Sequence, residues 1–414
     1  ILGVGNVTGE IETVNNSGIM QSNTQLNLTV GELANSGQLL GKSNVAVSID
    51  QGLNTGLIQS WGNATIVGDT LANSGIIMPG GDVDVSVSDM SNSGSMQSGG
   101  ALSIDGSEFA NSGSIMSGTQ LLIDVDEYTN SGTQASDGLA TVTVGSLINS
   151  GQITANAGLE ISADQAAHSG SIMAYDSATL TIGDYHQSGS LVVMGDAQQS
   201  HDTWLHSGTT QVSGKHNLNA DDAVQIDGGL VLSNELNLTA QNLDNSGQVI
   251  GVNGLDVQVS DLTNSGVIQG NNTAKITLSG AENSGLIIGG NELIIDASAM
   301  TNNASIQSNG NLTLSGTQIR NNGTVLSTDK MDVTVSGINN DGVMQSNQLT
   351  ITNKALENAG SIIGEQSIGI DATTIENNNG GYIQGNNTLG IKATALVNEG
   401  VVYGQGDTRL DAST

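Results

Sequence analysis

Cysteine is absent from the 414 residues and proline occurs once. The chain therefore has no disulfide, no thiolate metal site and no cysteine nucleophile, a composition that suits a protein exported before it folds. Aromatic residues make up only 2%, far fewer than the packed cores of a globular enzyme of this length carry. Lys and Arg number 8 against 40 Asp and Glu, a net charge of −32. That balance opposes any sequence-independent hold on nucleic acid, which needs cations to displace counterions, and it opposes binding to anionic membranes. No stretch approaches the ~18 consecutive apolar residues of a membrane span. The opening residues Ile1-Leu2-Gly3-Val4-Gly5-Asn6 have neither the basic nor the apolar region of a signal peptide.

What is abundant is glycine, 57 residues of it, and its placement is periodic. Asn-Ser-Gly ends at Gly18, Gly37, Gly75, Gly94, Gly113, Gly132 and Gly151, with Asn54-Thr55-Gly56 filling the gap, all on a 19-residue ladder. The ladder continues through Gly170, Gly189 and Gly208, then Gly229, and resumes at Gly247, Gly266, Gly285, Ala304, Gly323, Gly342, Gly360, Gly381 and Gly400. Spacings other than 19 are 21, 18, 18 and 21. Such self-similarity marks a stacked-repeat architecture.

Each repeat is read from its glycine. Two residues on lies an apolar side chain such as Met20, Leu39, Ile58, Ile115 or Ile306; only Gln134 and Thr210 depart among 21 repeats. Eight to twelve residues on comes an alternating run, as in Leu26-Asn27-Leu28-Thr29-Val30, and fifteen on one further apolar residue, as at Leu33 or Ile319. Strict alternation is the signature of a strand with one buried face. Gly and Asn at one point of each repeat predict a corner at positive φ. Three short strands and three corners per repeat predict an all-β fold, a right-handed parallel β-helix (β-solenoid) of about 21 turns, mostly of 19 residues. At ~4.8 Å per turn this is a rod of roughly 100 Å. Composition divides it into a regular block 1–167, irregular seam turns 168–229, and a second regular block 230–414.

Two residues before the glycine, Asn recurs in 17 of 21 repeats: Asn16, Asn35, Asn54, Asn73, Asn92, Asn111, Asn130, Asn149, Asn245, Asn264, Asn283, Asn302, Asn321, Asn340, Asn358, Asn379 and Asn398. Stacked amides that donate in one direction and accept from the other predict a structural ladder along the axis.

The unit Asn-Ser-Gly-x-Ile-x-Ser followed by alternating Leu, as in Asn111-Ser112-Gly113-Ser114-Ile115-Met116-Ser117 with Leu121 and Ile123, resembles the haemagglutinin repeat. That repeat builds the shafts of filamentous-haemagglutinin-like exoproteins of the two-partner secretion pathway, and the resemblance runs through essentially the whole chain. It implies an outer-membrane two-partner transporter during export and display at the extracellular surface of a Gram-negative cell. It also implies a receptor, polysaccharide or neighbouring cell engaged partly through other regions. Members include host and biofilm-matrix adhesins and contact-dependent growth-inhibition toxins. The segment is expected to be a monomeric piece of shaft, without membrane insertion or cofactor, and without the family's secretion domain or a toxin module.

Candidate sites are few. All five His lie between His168 and His216, where the Asn column gives way to His168, Gln187, His206 and Asp227. His168 and His206 share a column two turns apart, roughly 10 Å, too far for one zinc ion, so the window reads as a seam between repeat blocks. Phe109, Tyr128, Tyr185 and Trp204 fall in the inward column, whereas Trp61 and Tyr175 fall outside it and are candidate glycan-stacking residues. Acidic groups Asp82/Asp84/Asp89, Asp124/Asp126/Glu127 and Asp221/Asp222 lack a matching acid row in adjacent turns and read as solvated surface rather than calcium sites. No insertion is long enough to wall an enzymatic cleft, and the basic residues are scattered, so no catalytic constellation can be drawn.

The last feature is an outward strip. If the second residue after the glycine points in, the first and third point out. The third alternates Gln with apolar residues: Leu40, Met78, Met116, Ile288, Leu326, Ile363 and Tyr403 stand between Gln59, Gln97, Gln269, Gln307, Gln345 and Gln384. A recurring exposed apolar strip predicts a contact surface for another shaft, a matrix polymer or a flanking segment.

Overall fold

A computed structural model describes residues 1–412. The fold is a parallel β-solenoid, and the described residues contain strands and turns but no helix. It divides into two compact units, Ile1–Asp202 and the segment from Thr203 onward.

In the first unit the regular coil holds a four-residue strand and a ten-residue strand, such as Ile19–Ser22 with Leu26–Asn35 and Gln38–Gly41 with Val45–Asn54. Register is one repeat: Leu26 lies beside Val45, Leu28 beside Val47 and Asn35 beside Asn54. The expected third strand is not separate. Leu26, Leu28 and Val30 are buried, Gly31 and Glu32 both turn outward, and Leu33 and Asn35 are buried again. Two successive outward residues reset the alternation, so the chain changes face inside one strand. The ladder passes directly from the Val30–Ile49 pair to the Glu32–Gln51 pair. Inside, columns of Leu, Ile and Val pile on their equivalents from the coils above and below, and each buried aliphatic side chain contributes about 1.5–3 kcal/mol.

The corner glycines are not there for positive φ. Among the described residues only Gly68, Gly228, Gly316 and Gly380 have positive φ, and none belongs to the corner column. The requirement is closeness: a Cβ on Gly37 would lie 2.1 Å from Gly18 O, and one on Gly113 would lie 2.1 Å from Gly94 O. Successive corners stack backbone on backbone, and only Ala304 among the 21 corner positions carries a side chain. The single proline also acts locally. Pro79 offers no N–H to the ladder, and the strand Ile76–Ile77 stops after 2 residues where its neighbours run 4.

The second unit uses the same coil, as in Val267–Gly270 with Thr273–Asn283 and Leu286–Gly289 with Glu292–Asn302. Its shortened repeats are absorbed at corners. Strand Leu230–Asn245 shifts register against Gln248–Asn264 at Ser233/Glu235, and Val343–Asn358 shifts against Ser361–Asn377 at Ser346/Gln348. The strands on either side keep their inward faces, because a one-residue slip carried along a strand would turn its apolar set to solvent.

Candidate functional site

The Asn column forms a buried polar spine in each unit. In the first, Asn16 Nδ2 donates to Asn35 Oδ1 at 2.8 Å, and the pattern repeats through Asn111 to Asn130 and Asn130 to Asn149, each at 2.8 Å. The same amide group also reaches the carbonyl just past the next corner, as from Asn111 to Thr133 O at 3.3 Å. In the second unit the column runs from Asn245 to Asn264 and on through Asn340 to Asn358 and Asn358 to Asn377, each again at 2.8 Å. The next step corrects the sequence reading. Two extra residues at this corner make Asn377 the ladder member in place of Asn379, and Asn377 donates to Asn398 Oδ1 at 2.7 Å.

His168 continues the spine rather than interrupting it. Asn149 Nδ2 lies 3.0 Å from His168 Nδ1, and His168 Nε2 lies 3.0 Å from Ser190 O. With the proton on Nε2, the ring accepts where an Asn accepts and donates where an Asn donates. Burial holds its pKa below the ordinary histidine range, against a smaller upward pull from the Ser190 carbonyl. His206 Nε2 makes the corresponding contact to Leu230 O at 3.1 Å. Burial lowers His201 and His206 to about 4. His216 is buried too, whereas His186 is exposed. Among the described residues no three His, Asp or Glu side chains gather closely enough to hold a metal ion.

The inward aromatics stack as the columns require. Phe109 and Tyr128 rings lie 5.0 Å apart and 5° from parallel. Tyr128 donates its hydroxyl to Gln134 Oε1 at 2.7 Å, which explains why Gln134 replaces an apolar residue. Tyr185 packs on His201 in the first unit, and Trp204 on His206 in the second.

Two outer features escaped the sequence reading. Asp89, Glu108 and Glu127 are direct neighbours on three successive coils, so an acid row does exist and joins the group of Asp89 to that of Glu127. Each coil shows it at the same distance from its glycine, so tabulating the polar columns exposes it. Asn44, Asn63 and Asp82, nineteen residues apart, form a second ladder outside the core. Asn63 N donates to Asn44 Oδ1, Asp82 N to Asn63 Oδ1 and Ala101 N to Asp82 Oδ1, each at 2.9 Å. Asp82 is thereby occupied as a backbone cap.

The face made by the short strands is chemically distinct. In all 21 repeats the four residues after the corner position include no Lys, Arg, Asp, Glu or His. Stacking alone does not impose this, since acids stack freely elsewhere in the Asp89–Glu108–Glu127 row. The outward strip sits here. Met116 is 46% exposed and Tyr403 is 45% exposed. Met78 is exposed too, while Leu40, Ile288, Leu326 and Ile363 are half-buried. Gln and apolar side chains are direct neighbours along it: Gln97 beside Met116, Ile288 beside Gln307, Leu326 beside Gln345 and Gln384 beside Tyr403. At its margin Trp61 is 74% exposed, with Lys42 Nζ 5.5 Å from its ring centroid. Tyr175 is also exposed. No family model, curated protein or solved structure matches the chain. No helix among the described residues is long and apolar enough to cross a membrane.

Proposed function

We propose that the chain is a non-enzymatic, load-bearing shaft segment of a secreted, cell-surface adhesin of the filamentous-haemagglutinin type. In this reading it reaches the outside of a Gram-negative cell through an outer-membrane partner. There it projects a binding or effector region and supports cell–cell, host or biofilm-matrix contact. The observation that carries the reading is the buried amide spine. A hydrogen-bonded column repeated coil after coil resists fraying and shear without demanding any globular core, which is what a spacer needs. Off-period spacings differ from 19 by at most two residues, so no loop builds a cleft. A growth-inhibition stalk would use the same coil for the same mechanical purpose.

The test removes whole coils. Deleting residues 95–132, which is 38 residues, joins Gly94 to Thr133 in register. A spacer keeps its fold and its cell-surface exposure to added protease, and adhesion declines only with reach. Complete loss of adhesion in a folded, surface-exposed deletion variant contradicts the reading, because it places the active surface within those coils.

A further inference from the structure

The first unit carries 20 acidic residues and one cation, Lys42. Among the described residues that lysine forms no ion pair. It stands instead beside the indole of Trp61, the most exposed tryptophan of the chain, at the margin of the face from which charged side chains are missing. Gln21, Leu40 and Gln59, from the outward strip of three successive coils, line the same shallow depression. In a strongly acidic unit, the ammonium is therefore held by an indole face and not by a carboxylate.

We propose that Trp61, Lys42, Gln21 and Gln59 form a subsite for an acidic saccharide, a uronic-acid unit of a polysaccharide. A pyranose has an apolar C–H face that matches the open face of an indole and a hydroxyl rim that matches side-chain amides, which both donate and accept. Lys42 supplies the point charge for the sugar carboxylate. The short strands of the unit carry no acid, and at physiological salt the repulsion of acids elsewhere is screened beyond ~8 Å. The subsite does not rest on the shaft reading: a shaft survives its failure, and a saccharide-binding solenoid survives failure of the coil deletion.

The chain has two tryptophans, and Trp204 is only 1% exposed, so a ligand-dependent change in emission reports Trp61. The full chain is titrated with an oligogalacturonate and with the same oligosaccharide after its carboxylates are reduced to alcohols. The subsite predicts a saturable change with the uronate and none in Trp61→Ala. It also predicts binding about fivefold weaker in Lys42→Gln or with the reduced sugar, the upper end for an exposed ion pair. No saturation up to about 10 mM uronate, a millimolar-or-weaker affinity, overturns the site. Equal binding of the reduced sugar overturns the acidic-sugar assignment. Trp61 is exposed, and retained circular dichroism and buried Trp204 emission in Trp61→Ala separate lost binding from lost fold.

Discussion

Asn149 hands its amide hydrogen to the Nδ1 of His168 at 3.0 Å, so an imidazole stands in a column of amides and is bonded as they are. The substitution works only while that nitrogen is unprotonated. A charged ring would turn an N–H toward the Asn149 N–H and leave a cation in the core.

This sets a pH dependence. Histidine in the unfolded chain titrates near ~6.5, whereas burial lowers native His168, and lowers His201 and His206 to about 4. Above pH ~6.5 both states are neutral and the stability is fully present. As pH falls below that value the unfolded chain takes up protons first and stability declines, until the native rings titrate near pH 4. Between pH 7 and 5 each ring held near 4 should cost on the order of 2 kcal/mol. Urea unfolding at the two pH values measures this, and His168→Asn, which restores the amide column, should reduce the difference. An unchanged midpoint would mean that the rings are already solvated.

Breaking the spine in mid-block should be felt locally. Asn111→Ala removes the acceptor of Asn92 and the donor of Asn130, stranding polar atoms at fully buried positions. The expected loss is about 1–3 kcal/mol. Asn111→Asp keeps the shape but sets a carboxylate oxygen against Asn130 Oδ1, so it should be worse than alanine at neutral pH. If aspartate is the milder change, Asn111 is not a donor to Asn130.

The coil, its period, its inward columns and its amide ladder were all legible from the chain, because stacking forces equivalent residues into one environment and so repeats their chemistry at a fixed spacing. What was not legible depends on contacts between backbones. Glycine at Gly37 looks the same whether it serves positive φ or a 2.1 Å approach to Gly18 O. The strand Leu26–Asn35 turns a corner without losing its ladder, and no residue type announces that. His168 reads as an interruption until its two ring nitrogens are matched to the amide's oxygen and nitrogen. The shift from Asn379 to Asn377 was hidden by three consecutive asparagines, Asn377, Asn378 and Asn379, at one corner.

The glycine corner offers a sharper test of packing. A Cβ on Gly113 would sit 2.1 Å from Gly94 O, so Gly113→Ala must push two coils apart. Ala304 shows how the chain yields: there the bond from Ser305 N to Gly285 O is 3.2 Å, against 2.9 Å for Ser114 N to Gly94 O. Gly113→Ala should cost about 1–3 kcal/mol, the range for overpacking, despite alanine's lower unfolded-state entropy. A neutral or stabilising result in thermal unfolding would show that the corners are not in backbone contact.

The outward strip separates a structural ornament from a working surface. Replacing Met78, Met116, Ile288 and Leu326 by Gln introduces side chains already tolerated at the same column in alternate coils, such as Gln59, Gln97, Gln307 and Gln345. Met116 is 46% exposed, and Ile288 and Leu326 are half-buried, so none anchors the core. Stability should stay within about 1 kcal/mol of the parent. What changes is the apolar area presented by an uncharged face. On a chain of net charge −32, the short-strand face of each unit is the one along which another copy, or an uncharged polymer, approaches without juxtaposing carboxylates. The quadruple variant should therefore lose lateral bundling, read by concentration-dependent sedimentation, and lose adhesion of cells that display it. Unchanged bundling and adhesion in a folded variant would reduce the strip to a set of β-forming residues that touch nothing.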